Sequence, residues 1–202
     1  AGLSLLSLLA VMLFPYERYL PGIERKASEA LKDPVKIGTI GFSFLPRPHI
    51  ALGNIKVGQA EHLTIAKAMA VPDILSLLGE STIVSELVIE KPLIKSSGLN
   101  HLAQAGSSPG MTIKHITLSG LAFVVGKTAY SGMNGEITMN AAGAPEKILL
   151  RDAEGFLKIE LTPKGEIFQI AVSGSAWRSS TRPSFTFDKF DAQGELKPDR
   201  LV

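Results

Sequence analysis

From residue 34 onward, apolar side chains recur at every second position in short runs, the signature of strands with one greasy face. Phe42 and Phe44 flank Ser43, and Ile50 and Leu52 flank Ala51. Leu63, Ile65, Met69 and Val71 share a parity, as do Ile83, Leu87 and Ile89, with Glu86 and Glu90 facing the other way. Leu121, Phe123 and Val125 follow; then Leu157, Ile159 and Leu161 interleave with Lys158 and Glu160. Phe168, Ile170 and Val172 come next, and Phe185 and Phe187 flank Thr186. Gly53-Asn54, Asn134-Gly135 and Pro163-Lys164-Gly165 are turn formers that would separate these runs. Roughly ten strands of this kind predict a mainly β chain. The expected architecture is a curved, largely antiparallel sheet, a groove or half-barrel built as a meander.

The start of the chain is different. Residues 1–14 carry no charge and only two serines. At 1.5 Å per residue they reach about 21 Å, short of the roughly 20 residues that cross a bilayer, so a membrane anchor would need residues upstream of Ala1. Phe14, Tyr16, Arg18 and Tyr19 stand where a membrane–water interface belt would follow such a span. A cleaved signal peptide is disfavoured, because no small-residue cleavage site with a polar start follows the run. Arg18, Arg25, Lys26, Lys32 and Lys36 are interleaved with Glu17, Glu24, Glu29 and Asp33, so charge does not set the orientation.

A short amphipathic helix is expected next. Pro21 suits a first turn, and Leu20, Ile23, Ala27 and Leu31 fall on one stripe. Asp33-Pro34 stops it. This collar would pack on the domain or lie on the membrane surface. A further helical turn fits residues 72–79, with Pro72 at its start and Gly79 at its end. Residues 96–110 read as a small-residue loop. The expected organisation is an anchor at 1–15, a collar at 16–33 and a β domain from 34 to 202 that continues further.

Composition narrows the chemistry. Hydrophobic residues make up 45% of the 202-residue chain, with charged residues at 20% and a mean hydropathy of +0.21, which excludes a disordered chain. A formal charge of +2 gives nucleic-acid binding no electrostatic support. Zero cysteines exclude disulfides and thiolate metal sites. Gly106-Ser107-Ser108-Pro109-Gly110 matches the nucleophile-elbow letters, but it lies in a loop with proline after the serine, not between a strand and a helix. His49, His62, His101 and His115 are isolated in sequence and show no zinc spacing, so no metal, cofactor or catalytic residue is expected. Trp177, followed by Arg178, would anchor an edge or mark a strand end.

Several segments together resemble the amino-terminal region of the AsmA family. They are the apolar start with its helix, Pro34-Val35-Lys36-Ile37-Gly38, and the segment from Phe42 through Pro46, Arg47, Pro48 and His49 to Ile50. Leu52-Gly53-Asn54-Ile55-Lys56-Val57-Gly58 and residues 71–94 fit the same pattern, as do Gly98, Asn100 and Leu102. Residues 157–163, Gly174, Trp177, Phe187 and Gly194 look like a later family block, though less specifically. Phe14-Pro15-Tyr16 is also similar to a segment of type II secretion protein N, a member of the same superfamily. The resemblance spans nearly the whole chain, although large family members are several-fold longer.

It implies a single-pass inner-membrane protein of a Gram-negative bacterium, with its bulk in the periplasm and a groove for lipid acyl chains. The implied role is lipid transport or envelope biogenesis without a chemical step. The competing reading is a scaffold in an envelope or secretion complex, with other proteins of that complex as partners. Under the first reading, membrane lipids would meet Leu121, Phe123, Val125, Leu157, Ile159, Leu161, Phe168, Ile170 and Val172. The anchor reading predicts that the intact chain stays with membranes through an alkaline carbonate wash, and recovery in the soluble fraction would refute it.

Overall fold

The computed structural model describes residues 16–43, 45, 47–73, 76, 82–95, 111–125, 128–165, 167–178 and 185–196. The anchor expected at 1–15 lies outside them, as does Phe14 of the interface belt. Among the described residues, no helix is long and apolar enough to cross a membrane. A 3-10 turn, Tyr16–Tyr19, leads into α1, Leu20–Leu31. The other elements among the described residues are strands: β1 (Val35–Ser43), β2 (His49–Val57), β3 (Leu63–Pro72), β4 (Thr82–Lys95), β5 (Met111–Ile113), β6 (His115–Val125), β7 (Thr128–Met139), β8 (Pro145–Asp152), β9 (Leu157–Lys164), β10 (Ile167–Arg178) and β11 (Thr186–Leu196). They form one open sheet in the order β1-β2-β3-β4-β6-β7-β8-β9-β10-β11, with β5 paired to β4.

The expected meander is interrupted once. β5 and β6 run parallel to β4, and the register is unbroken from Thr82↔Met111 to Lys95↔Val124. Every other pairing is antiparallel. A parallel pair needs a crossover of a dozen or more residues, and residues 96–110 supply that length. Two antiparallel meanders thus meet along one parallel seam.

Two expected turns prove to be strand interior. Gly53-Asn54 lies within β2, and Asn134-Gly135 within β7. Pro163-Lys164-Gly165 does turn the chain between β9 and β10, with Gly165 at φ +66°. The Gly53-Asn54 site instead belongs to a crease across five strands. In β1 the core-facing residues are Val35 and Ile37, then Ile40 and Phe42; in β2 they are Ile50 and Leu52, then Ile55 and Val57. In β3 they are Leu63 and Ile65, then Ala68; in β4, Leu87 and Ile89, then Pro92 and Ile94. In β6 they are Ile116 and Leu118, then Leu121 and Phe123. Each strand steps by three once where a regular strand steps by two.

These steps line up through the register. Gly38 lies across from Asn54, Asn54 from Ala66, Ala66 from Lys91, and Lys91 from Gly120. Asn54, Lys91 and Gly120 have φ values of 52°, 51° and 67°, left-handed geometry that reverses the inside–outside alternation. Pro92 is tolerated in a central strand because it sits directly beside this irregularity. The parity shared by Leu63, Ile65, Met69 and Val71 is therefore broken: Ala68 joins the core, and Met69 and Val71 fall on the opposite face.

The first core lies under α1. Val35, Ile37, Ile55, Val57, Leu63 and Ala68 are buried, and Leu20, Ile23, Ala27 and Leu31 pack on them. The collar's apolar stripe is thus spent on the sheet. α1 also covers part of the β1 edge: Ser28 Oγ accepts the Val35 N–H at 2.9 Å, and Glu24 Oε1 accepts the Ile37 N–H at 2.8 Å. Of the helical turn expected at 72–79, Pro72 instead ends β3, and apart from Asp73 and Ser76 the rest lies outside the described residues. Ser76 Oγ accepts the Ile83 N–H at 2.8 Å.

Below α1 the chain is pinned by a buried pair. His62 Nε2 approaches Asp33 Oδ2 at 2.8 Å, joining the end of α1 to the β2–β3 turn. His62 is therefore isolated in sequence but not in space. Its ring occupies the position that a Cβ on Gly58 (φ +81°) would need, whereas Gly132 (φ +84°) has nothing within 4 Å of such a Cβ. Gly132→Ala should cost about 1 kcal/mol from its backbone alone, and Gly58→Ala about 3 kcal/mol or more, since it adds a clash with a buried ring. Equal losses in thermal denaturation would show that the His62 packing does not matter.

Candidate functional site

The residues expected to line a groove fall on one face of the second meander. Leu121 is buried to 1% exposure, Met133 and Leu150 are also buried, and Leu118, Phe123, Ile148, Leu157, Ile159 and Leu161 pack against them. Register extends the face outward. Ile148 pairs with Leu161, and Leu161 with Ile170; Leu150 pairs with Ile159, and Ile159 with Val172. Phe168 lies across from Pro163. Phe168, Ile170 and Val172 are half-buried, while Gln169 and Ala171 between them are exposed. Val125 is placed by its backbone pairing with Thr128, and its side chain lies outside what is described.

Among the described residues, α1 is the only α-helix, and its apolar stripe packs on the core of β1–β3, not on the second meander. No second layer of described residues covers the apolar face of β6–β10. Among the described residues Leu121 is the only large side chain below 2% exposure, as a single sheet with little on top requires. Aromatic rings gather toward one end of this face. Phe156, Phe187 and Tyr130 are between 41% and 43% exposed, and Phe185 is 57% exposed. Phe190 packs on Gly174, where a Cβ would strike its ring, and its centroid is 5.5 Å from that of Phe187. Of the expected interface belt, Arg18 and Tyr19 are exposed beside α1, and Tyr16 is placed by its backbone only.

The opposite face, which also carries Met69 and Val71, holds the ion pairs of the sheet. Glu160 is held by Lys147 at 2.8 Å and Lys158 at 3.0 Å. Arg47 meets Glu86 at 2.7 Å, and Lys67 lies 3.9 Å from Glu90 across the β3–β4 ladder. Two shallow depressions open here, about 290 Å³ beside Thr117, Ser119, Asn134, Glu136 and Arg151, and about 400 Å³ beside Thr39, Gly41, Ala51, Gly53 and Lys67. Neither converges nucleophile, base and oxyanion donors. Among the described residues no cluster of His, Asp and Glu could hold a metal ion.

Sequence reasoning missed Glu24 and Ser28, whose i, i+4 spacing aims both at one strand edge, and it missed the Asp33–His62 pair. Helix spacing could have flagged the first. The second needed the fold. No protein-family model matches the chain, and no curated protein is significantly similar to it.

Hydrogen bonds from Lys147 and then Lys158 hold the Glu160 carboxyl below its ordinary range. A depressed folded-state pKa stabilises above the unfolded value, and the contribution is lost as pH falls through the folded one. The pair is solvent-exposed, so the effect on unfolding should be small. The site itself reports it better: in carboxyl-resolved NMR, Lys147→Met should move the Glu160 midpoint upward, and an unchanged midpoint would refute the assignment.

Proposed function

We propose that this chain is a membrane-tethered, AsmA-like protein of a Gram-negative envelope whose apolar sheet face shields or carries lipid acyl chains, with no chemical step. The supporting observation is the apolar face of β6–β10, continuous across five strands and covered by no described element. Leu121, Met133 and Leu150 at its centre are buried by their neighbours in the sheet, but the half-buried rows around them and the exposed rings of Tyr130 and Phe187 leave apolar surface in water, at a cost of about 25 cal/mol for every Å², which an occupant would relieve. Acyl chains suit it better than a compact polar ligand does. They need length and greasy walls, and the face offers rows of Leu, Ile, Phe and Val without a polar anchor at its centre. Curvature of the sheet into a groove, a periplasmic setting and a role in envelope biogenesis belong to the same proposal. A scaffold role in an envelope or secretion complex is the second reading, favoured by the open backbone edge of β11, which pairs with β10 alone among the described strands.

Side-chain parity makes the lipid reading testable. A photo-crosslinker at Ile159 should capture lipid in membranes, and one at Lys158, on the ion-paired face, should not. Ile159→Asp should reduce lipid capture tenfold or more while the fold persists, since an open face lets the carboxylate reach water. If Ile159→Asp instead unfolds the protein and no position on this face crosslinks lipid, the face is an ordinary core and the scaffold reading replaces the carrier.

A further inference from the structure

Six large apolar side chains are exposed among the described residues, and four of them belong to one row: Tyr130, Phe156, Phe185 and Phe187. Tyr19 and Leu45 stand singly, beside α1 and in the β1–β2 turn. The row follows from topology. Strands β6 to β11 alternate in direction, so β7, β9 and β11 all begin at the same end of the sheet. Each carries an exposed ring at that start. Tyr130 is the third residue of β7, Phe156 immediately precedes β9, and Phe185 and Phe187 flank the first residue of β11. These strands are two apart, so the rings recur about every 10 Å along this end.

The rings also share a level. Met133 pairs with Asp152, whose Oδ1 accepts the Leu157 N–H at 3.0 Å, and Leu157 pairs with Gly174. Tyr130 lies three residues beyond that line, Phe156 one, and Phe187, across from Trp177, three. Along the strand direction these three rings therefore fall within about 7 Å, and Phe185 reaches further out. Tyr130 and Phe156 belong to strands with described neighbours on both sides, so the row does not depend on how the sheet ends.

We propose that this row is a bilayer-contact rim, seated in the headgroup region where the apolar face of β6–β10 meets membrane lipid. Single exposed apolar residues are ordinary on a protein surface, whereas a row of rings at one level presents a continuous apolar line. A bilayer is flat and extends sideways, so it can meet such a row all at once. Its headgroup and acyl boundary is about 5–10 Å deep, which matches the spread of the rings, and aromatic side chains favour that boundary. The rim is continuous with the face behind it. Phe187 and Phe190 have ring centroids 5.5 Å apart, Phe190 packs on Gly174, and Gly174 pairs with Leu157. An acyl chain passing between face and bilayer would cross these rings instead of open water. The inference deepens the lipid reading and rests on its membrane setting.

The chain supplies its own probe. Trp177 is its one tryptophan, and its backbone pairs with that of Phe187, so its emission reports on the rim whatever else binds the membrane. The full chain is bound to phosphatidylcholine vesicles that carry bromine at a shallow or a deep position of the acyl chain. Shallow bromine should remove about half of the Trp177 emission and deep bromine far less, as for a ring in the interfacial belt. Phe156→Ser/Phe185→Ser should weaken the shallow quenching about threefold, with little change in thermal midpoint because both rings are exposed. Folded Ile159→Asp should leave the quenching in place. Emission indifferent to bromine on vesicle-bound protein, or quenching untouched by the double substitution, would overturn the rim. Loss of quenching in folded Ile159→Asp would overturn it too, since the bromine would then be carried on the face and not met at the rim. Lipid crosslinking at Ile159 without Trp177 quenching removes the rim alone, and quenching without crosslinking keeps the rim and removes the carrier.

Discussion

The structure depends on keeping the core-forming apolar side chains of neighbouring strands on one face of a single sheet. A strand alternates strictly, so an extra residue in its pattern would throw half of its greasy side chains into water. Five adjacent strands carry such an extra step. They tolerate it because the steps coincide in register: Asn54, Lys91 and Gly120 adopt left-handed backbone in one transverse row, and the face reverses for all the strands together. A crease in one strand would be a defect. Five aligned creases preserve a common surface, and the core under α1 spans both sides of the row, with Leu52 and Ala68 beside Ile55 and Ile65.

That surface is treated differently along the sheet. Over β1–β3 it is covered by α1, whose Leu20, Ile23, Ala27 and Leu31 supply a second layer. The same helix turns Glu24 and Ser28 onto the β1 edge, so one short element protects both a face and an edge. Over β6–β10 the described residues provide nothing equivalent, and burial comes from lateral neighbours in the sheet. The asymmetry is the physical basis for seeking an occupant on the second meander and not on the first. At the same end, β11 pairs with β10 alone among the described strands.

How the polar groups are spent follows the same division. Lys147, Lys158 and Glu160 pair on the far side of the residues proposed to meet lipid, so the charged face is neutralised locally and stays solvated. Asp33 and His62, by contrast, are withdrawn from water where α1 joins the sheet, and Gly58 has no side chain because the His62 ring fills that space. Paired burial of this kind is sensitive to loss of either partner.

Much of this was legible before any coordinates. Alternation at Leu157, Ile159 and Leu161, and at Phe168, Ile170 and Val172, determined strands and their apolar side, because side-chain direction in a strand depends on local backbone geometry alone. The stripe of Leu20, Ile23, Ala27 and Leu31 determined a helix ending at Asp33-Pro34 for the same reason. Only the tertiary structure decided the parallel seam between β4 and β6, since strand order depends on where a connection travels and not on what flanks it. It also decided that Gly53-Asn54 and Asn134-Gly135 lie inside strands: dipeptides that favour a turn in isolation also suit an irregularity within a ladder, and their neighbours across the sheet choose between the two. The Asp33–His62 pair belongs to the fold as well, because two residues far apart in sequence can exclude water from each other only after the chain has brought them together.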